Sequence, residues 1–151
     1  MGKKLLVIIT GFFFLLPVCL SAQTAAELET LLQTKAVTNA QAAKFVLASV
    51  EDASDVSAES AFQKAVSNGW LKDGTKPDEN ITLGKLSFLM MKAFYMSGGV
   101  MYTLAPGPRY AYRSMVSRNY IQSGSDPAMN VSGEKFLLIL GKVTNAQGGG
   151  S

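Results

Sequence analysis

Residues 70–89 read "WLKDGTKPDENITLGKLSFL" and residues 120–139 read "YIQSGSDPAMNVSGEKFLLI". With an offset of fifty and no gap, Trp70 falls on Tyr120, Leu71 on Ile121, Gly74 on Gly124 and Pro77 on Pro127. Ile81 then falls on Val131 and Thr82 on Ser132. The register extends outward on both sides. Phe62 meets Tyr112, Ala65 meets Met115, Val66 meets Val116, Leu86 meets Phe136 and Leu89 meets Ile139. Apolar matches alone arise easily by chance. Shared Gly, Pro and hydroxyl positions in one ungapped register do not, so the chain carries an internal duplication.

Each copy reads as helix, loop, helix. Phe62, Ala65, Val66 and Trp70 fall close to the i, i+3, i+4, i+8 spacing of one buried helical face. Gly69 and Gly74 suit the left-handed conformations that end a helix and open a turn. Pro77 cannot continue a helix. Thr82 is then an N-cap whose hydroxyl takes an orphan amide, with Ile81 packing back as a staple. Val131 and Ser132 fill the same two roles in the second copy.

A third, shortened copy lies upstream. Leu28, Leu31, Leu32 and Ala36 share one face, and Val37-Thr38 precedes "NAQAAKFVLASV" (39–50). Phe45 and Val46 match Leu89 and Met90, but the inter-helix loop is missing. The expectation is an all-α domain over 23–145 made of three helix–loop–helix hairpins, about 25–50, 58–96 and 109–144. Thr38, Thr82 and Ser132 start the second helices, and Phe45, Leu86, Leu89, Phe136 and Ile139 lie in one shared core. The segment "SGGVMYTLAPGPR" (97–109) is rich in breakers and reads as an irregular crossing. Residues 146–151 read as a flexible tail.

The run Asp73, Gly74, Thr75, Lys76, Pro77, Asp78, then Ile81-Thr82, resembles the signature of S-layer homology domains. Members of that family stack three helix–loop–helix repeats as a pseudo-threefold bundle, the count found here, and the resemblance covers residues 25–144. It implies attachment to a bacterial cell wall through an Arg at the start of each second helix. At those positions this chain has Asn39, Leu83 and Gly133, while Lys85 and Lys135 stand two places after Leu83 and Gly133. A lysine near helix amides can still help hold an anion, although the bidentate fork of Arg is absent.

The first residues are set apart from the fold. Lys3 and Lys4 precede an apolar run from Leu5 to Leu16, Pro17 breaks it, and Ser21 and Ala22 follow. That is the layout of a secretory signal peptide over 1–22, and the run is shorter than the roughly 18 residues a membrane span needs. Cys19 offers an alternative exit as a lipidated residue, so membrane attachment is expected only through the leader or through Cys19. The chain has 14 basic and 11 acidic residues, and without Lys3 and Lys4 12 basic residues remain. Such a balance gives no reason to expect a nucleic-acid partner.

Catalysis finds no support. The chain has no His, and its one Cys lies in the leader. No motif places a base beside a Ser or Thr nucleophile, and Asp73, Asp78 and Glu79 lack the alternate spacing of a calcium loop. No enzyme activity, metal or cofactor is expected. The candidate ligand contacts are Trp70, Lys85, Arg109, Arg113, Tyr120 and Lys135. Trp70 and Tyr120 read either as packing residues or as rings on which a sugar stacks. Arg109 and Arg113, four apart with Tyr110 and Tyr112 beside them, read either as a solvated helix start or as an anion contact. Together with the resemblance, these residues lead to an exported, non-catalytic module of the periplasm or cell envelope. Its expected partner is cell-wall peptidoglycan or an associated acidic glycan, with a periplasmic protein as the alternative.

Overall fold

A computed structural model of the chain describes residues 18–51, 53 and 55–149. The leader up to Pro17 lies outside the described residues, as does the side chain of Cys19; the expected cut after Ala22 falls within the first helix. The order is α1 (Val18–Gln33), α2 (Asn39–Glu51), α3 (Ala58–Ser67), α4 (Leu83–Ala93), α5 (Val100–Leu104), α6 (Pro108–Ser117) and α7 (Gly133–Gly148). Among the described residues there is no strand, only two isolated bridges, Thr38 to Asn80 and Thr82 to Asn130. The chain is all-α, and no described helix is long and apolar enough to cross a membrane.

The helix starts follow from local chemistry. Thr82 is extended (φ −87, ψ 159), and its hydroxyl accepts the Lys85 amide at 3.3 Å. Ser132 is extended (φ −72, ψ 157) and accepts the Lys135 amide at 3.3 Å. Thr38 goes further: its hydroxyl accepts the Gln41 amide at 3.2 Å, and its own amide donates to Gln41 Oε1 at 3.0 Å. That reciprocal pair is a capping box.

The two sequence copies use the same backbone bonds. The Trp70 amide donates to Ala65 O at 2.8 Å, and the Tyr120 amide to Met115 O at 3.0 Å. Gly69 (φ 68) and Asn119 (φ 60) take the left-handed turn that ends α3 and α6. Asn is the non-glycine residue best suited to that conformation. Leu86 and Phe136 both close the first turn on their cap carbonyls at 2.8 Å.

Packing does not follow the sequence hairpins. Instead α3 packs chiefly on α2, α6 on α4, and α1 on α7. The α2 helix also touches α4 and α7 and so sits centrally. Val37, Val46, Ile81, Leu86, Leu89, Val131, Phe136 and Ile139 are buried together. Each such side chain contributes about 1.5–3 kcal/mol by leaving water.

Three expectations need correction. Phe45 is only partly buried; it packs edge-on to Phe136 at 6.3 Å from the rim of the core. The 97–109 crossing is not wholly irregular, because Val100–Leu104 forms α5 between Gly99 and Pro106. The stretch read as a tail contributes its first residues to α7, which runs to Gly148.

Candidate binding groove

The loop between α3 and α4 lies beside the first residue of α6. Trp70, Leu71, Asp73, Thr75, Lys85, Phe88 and Pro108 enclose a hollow of about 300 Å³ there, with Lys72 and Glu79 at its edge. Its floor is apolar. Trp70 is 6% exposed and Phe88 8%. Its rim carries charge of both signs. Lys85 sits one turn into α4, where the cap bond of Thr82 fixes the helix start. Among the described residues neither Lys85 nor Asp73 nor Glu79 forms an ion pair.

A hollow of similar size lies between α1, α2 and Ala58, the first residue of α3. Gln41 stands there as Lys85 does in the α3–α4 hollow, three residues after the cap, and Lys44 stands as Phe88 does. The polar groups of this hollow are already engaged. Gln41 belongs to the capping box, and Lys44 binds Glu27 at 2.8 Å. Of these two hollows, the α3–α4 one is that whose cations, Lys72 and Lys85, form no ion pair among the described residues.

The sequence candidates do not converge on one surface. Trp70 and Lys85 share the hollow, and Arg109, exposed, follows its lining residue Pro108. Arg113 lies elsewhere, beside Val100, Met101 and Tyr102 in a shallow hollow of about 290 Å³ under α5. Tyr120 is partly buried, and Lys135 reaches Met129 Sδ at 3.4 Å. Neither lines the hollows described.

All but one of the helix-start amides expected to help hold an anion are occupied. At α2 the Asn39 amide donates to Glu79 O at 2.9 Å and the Ala40 amide to Pro77 O at 3.0 Å. At α4 the Leu83 amide donates to Met129 O at 2.9 Å and the Gly84 amide to Pro127 O at 2.8 Å. At α7 the Gly133 amide donates to Thr34 O at 2.8 Å. The next amide at α2 and α4, and the Lys135 amide at α7, goes to the cap hydroxyl, which leaves the Glu134 amide without a partner among the described residues. At α2 and α4 neighbouring loops thus consume the donors that an anion would use.

The same geometry explains the three positions where the resemblance puts Arg. Asn39 is buried and gives Nδ2 to Lys76 O at 2.9 Å, Leu83 is buried, and Gly133 is buried against α1. All three are structural positions here. Sequence reasoning missed this because the partners lie far along the chain, 37 residues away for Asn39 and Lys76. It also missed Ser114, which accepts the Gly99 amide at 3.4 Å and ties α5 to α6.

Other chemistry is sparse. Among the described residues no three His, Cys, Asp or Glu side chains group to hold a metal ion. Burial pushes the Tyr102 phenol above its ordinary value. No protein-family model, curated protein or solved structure matches the chain.

Proposed function

We propose that the chain is a non-catalytic attachment module of the cell envelope, a pseudo-threefold bundle of three helical copies that binds peptidoglycan or an associated acidic glycan. Support for the threefold arrangement comes from the chain of inter-copy bonds. The second copy's loop caps α2, the third copy's loop caps α4, and the end of α1 caps α7. Export is supported by the leader read from residues 1–22 alone.

The observation that carries the ligand is the Trp70–Lys85 hollow. An indole and Phe88 line its apolar floor, and Lys72, Asp73, Glu79 and Lys85 ring it. Peptidoglycan offers sugar faces for the floor and amides, carboxylates and amines for a rim of mixed sign. With the α4 amides already bonded, Lys85 is the contact for an acidic group.

The test is retention of the purified chain on peptidoglycan sacculi across a salt series. Lys85→Gln keeps a polar side chain one atom shorter and removes the charge. The reading expects weaker retention at low salt and a smaller salt dependence. Unchanged retention would move the hollow to a protein partner.

A further inference from the structure

We propose that the α5 crossing is a docking surface for an anionic lipid bilayer. This goes beyond the glycan site, since it uses another face and another ligand. The helix Val100–Leu104 packs on α6 and turns its remaining apolar side chains outward. Val100 is 75% exposed, Met101 50% and Leu104 74%. Just before it, Tyr95 is 87% exposed and holds φ 51. A bulky residue in that region carries a strain cost that a disordered tip would avoid.

The apolar tip is held firmly from beneath. Tyr102 is buried, meets Phe88 edge-on at 6.4 Å, and covers Gly98 so closely that a Cβ there would stand 2.4 Å from its ring. The Gly99 amide is tied to Ser114. Exposure of Val100, Met101 and Leu104 is therefore a property of an anchored element. Clustered exposed aliphatics of this kind mark interaction surfaces.

Charge decides the occupant. From Asn80 to Ser125 the sequence contains Lys85, Lys92, Arg109, Arg113 and Arg118 and no Asp or Glu. Several of these cations surround α5. Arg113 lines the hollow beneath it with Tyr110. Arg118 donates to the Ser97 carbonyl and to Ser97 Oγ at 3.3 Å. Lys92 lies 5.6 Å over the Phe88 ring that supports Tyr102. Tyr112 bonds away from this face, to the Ser125 carbonyl. Aliphatic side chains at a tip, Tyr beside them and cations behind, without an opposing carboxylate in that stretch, complement an acyl layer under anionic headgroups. Each cation near such a surface adds roughly fivefold in affinity, so the contact is peripheral and salt-sensitive.

The experiment uses the full chain with phosphatidylcholine vesicles, with or without phosphatidylglycerol. Val100→Trp places an indole at the tip, read against the unchanged chain and its buried Trp70. On phosphatidylglycerol vesicles made with brominated lipid, that indole shifts blue and is quenched, even if the leader also binds. Val100→Asp with Leu104→Asp, exposed positions whose folding is checked by circular dichroism, lowers the anionic-vesicle component by about tenfold or more. Arg113→Gln lowers it too, and added salt narrows that difference. An unquenched indole overturns the proposal, as does equal quenching on phosphatidylcholine alone. Concentration-dependent self-association that the double Asp variant abolishes, without quenching on vesicles, also overturns it and assigns the tip to a second copy.

Discussion

Gly133 and Leu31 approach so closely that a Cβ on Gly133 would stand 1.5 Å from the Leu31 carbonyl oxygen. Only residues 34–38 separate α1 from α2, so the end of α1 itself meets the start of α7, and the Gly133 amide bonds Thr34 O. Backbone on both sides cannot give way as a side-chain tip would. Gly133→Ala is expected to cost about 3 kcal/mol or more, read as a fall in the urea midpoint. Gly84→Ala makes the control. Its Cβ would meet Pro127 O at 3.3 Å, so it should cost clearly less.

The three helix starts give a second, milder series. Thr82→Ala and Ser132→Ala each remove one cap bond and should each cost about 1 kcal/mol. Thr38 engages Gln41 in both directions, so Gln41→Ala should also destabilise, whereas Lys85→Ala, at the matching position, should not do so through the cap. Parallel denaturation curves separate these outcomes.

The duplicated stretch made the helices and their caps legible, because Gly, Pro and hydroxyl positions act locally. Thr82 and Ser132 behave as their spacing implied. What stayed hidden was non-local. Nothing around Asn39 signals that its amide and side chain hold residues 76–79 of another copy. The same blindness touched the site: Trp70 and Lys85 meet in one hollow, while Arg113 turns toward α5. Helical spacing places residues on a face but does not say which element covers it. In 97–109 the breakers drew attention away from Val100–Leu104, a helix short enough to fit between them.

The aromatic pair at the edge of the core separates burial from contact. Phe136 is fully buried and Phe45 partly so, though their rings touch edge-on. Phe136→Ala should cost about 3–5 kcal/mol. Phe45→Ala should cost visibly less, since water can fill the hollow beside it. Equal losses by calorimetry would place Phe45 in the core after all.

Alkaline pH should weaken the α5 anchor. Burial holds the Tyr102 phenol above its ordinary 10.0. The folded chain then binds that proton more tightly than the unfolded chain, so the contribution is complete below the unfolded value. It is lost as pH rises through the folded value. Stability measured from about pH 9 to about pH 11 should fall faster for the unchanged chain than for Tyr102→Phe. Identical slopes would mean that the phenol is solvated.

Asn39 offers a test of the inter-copy junction that no local effect can imitate. Its Nδ2 donates to Lys76 O, and its Oδ1 is buried without a partner among the described residues. Asn39→Ala leaves the Lys76 carbonyl short of a donor and should cost about 1–3 kcal/mol. Asn39→Asp is isosteric but exchanges that donor for a carboxylate facing a carbonyl oxygen. Burial and the lost donor both disfavour the charged form, whereas the helix start favours it by a smaller amount because its amides are already bonded. The introduced carboxyl should therefore titrate above the ordinary carboxylate range. Its protonated form restores a donor, so the deficit of Asn39→Asp relative to the unchanged chain should be small at acid pH and grow as pH rises through that value. Urea denaturation at a series of pH values reads the difference directly. A deficit independent of pH would mean that the loop over 76–79 swings away and lets water reach position 39.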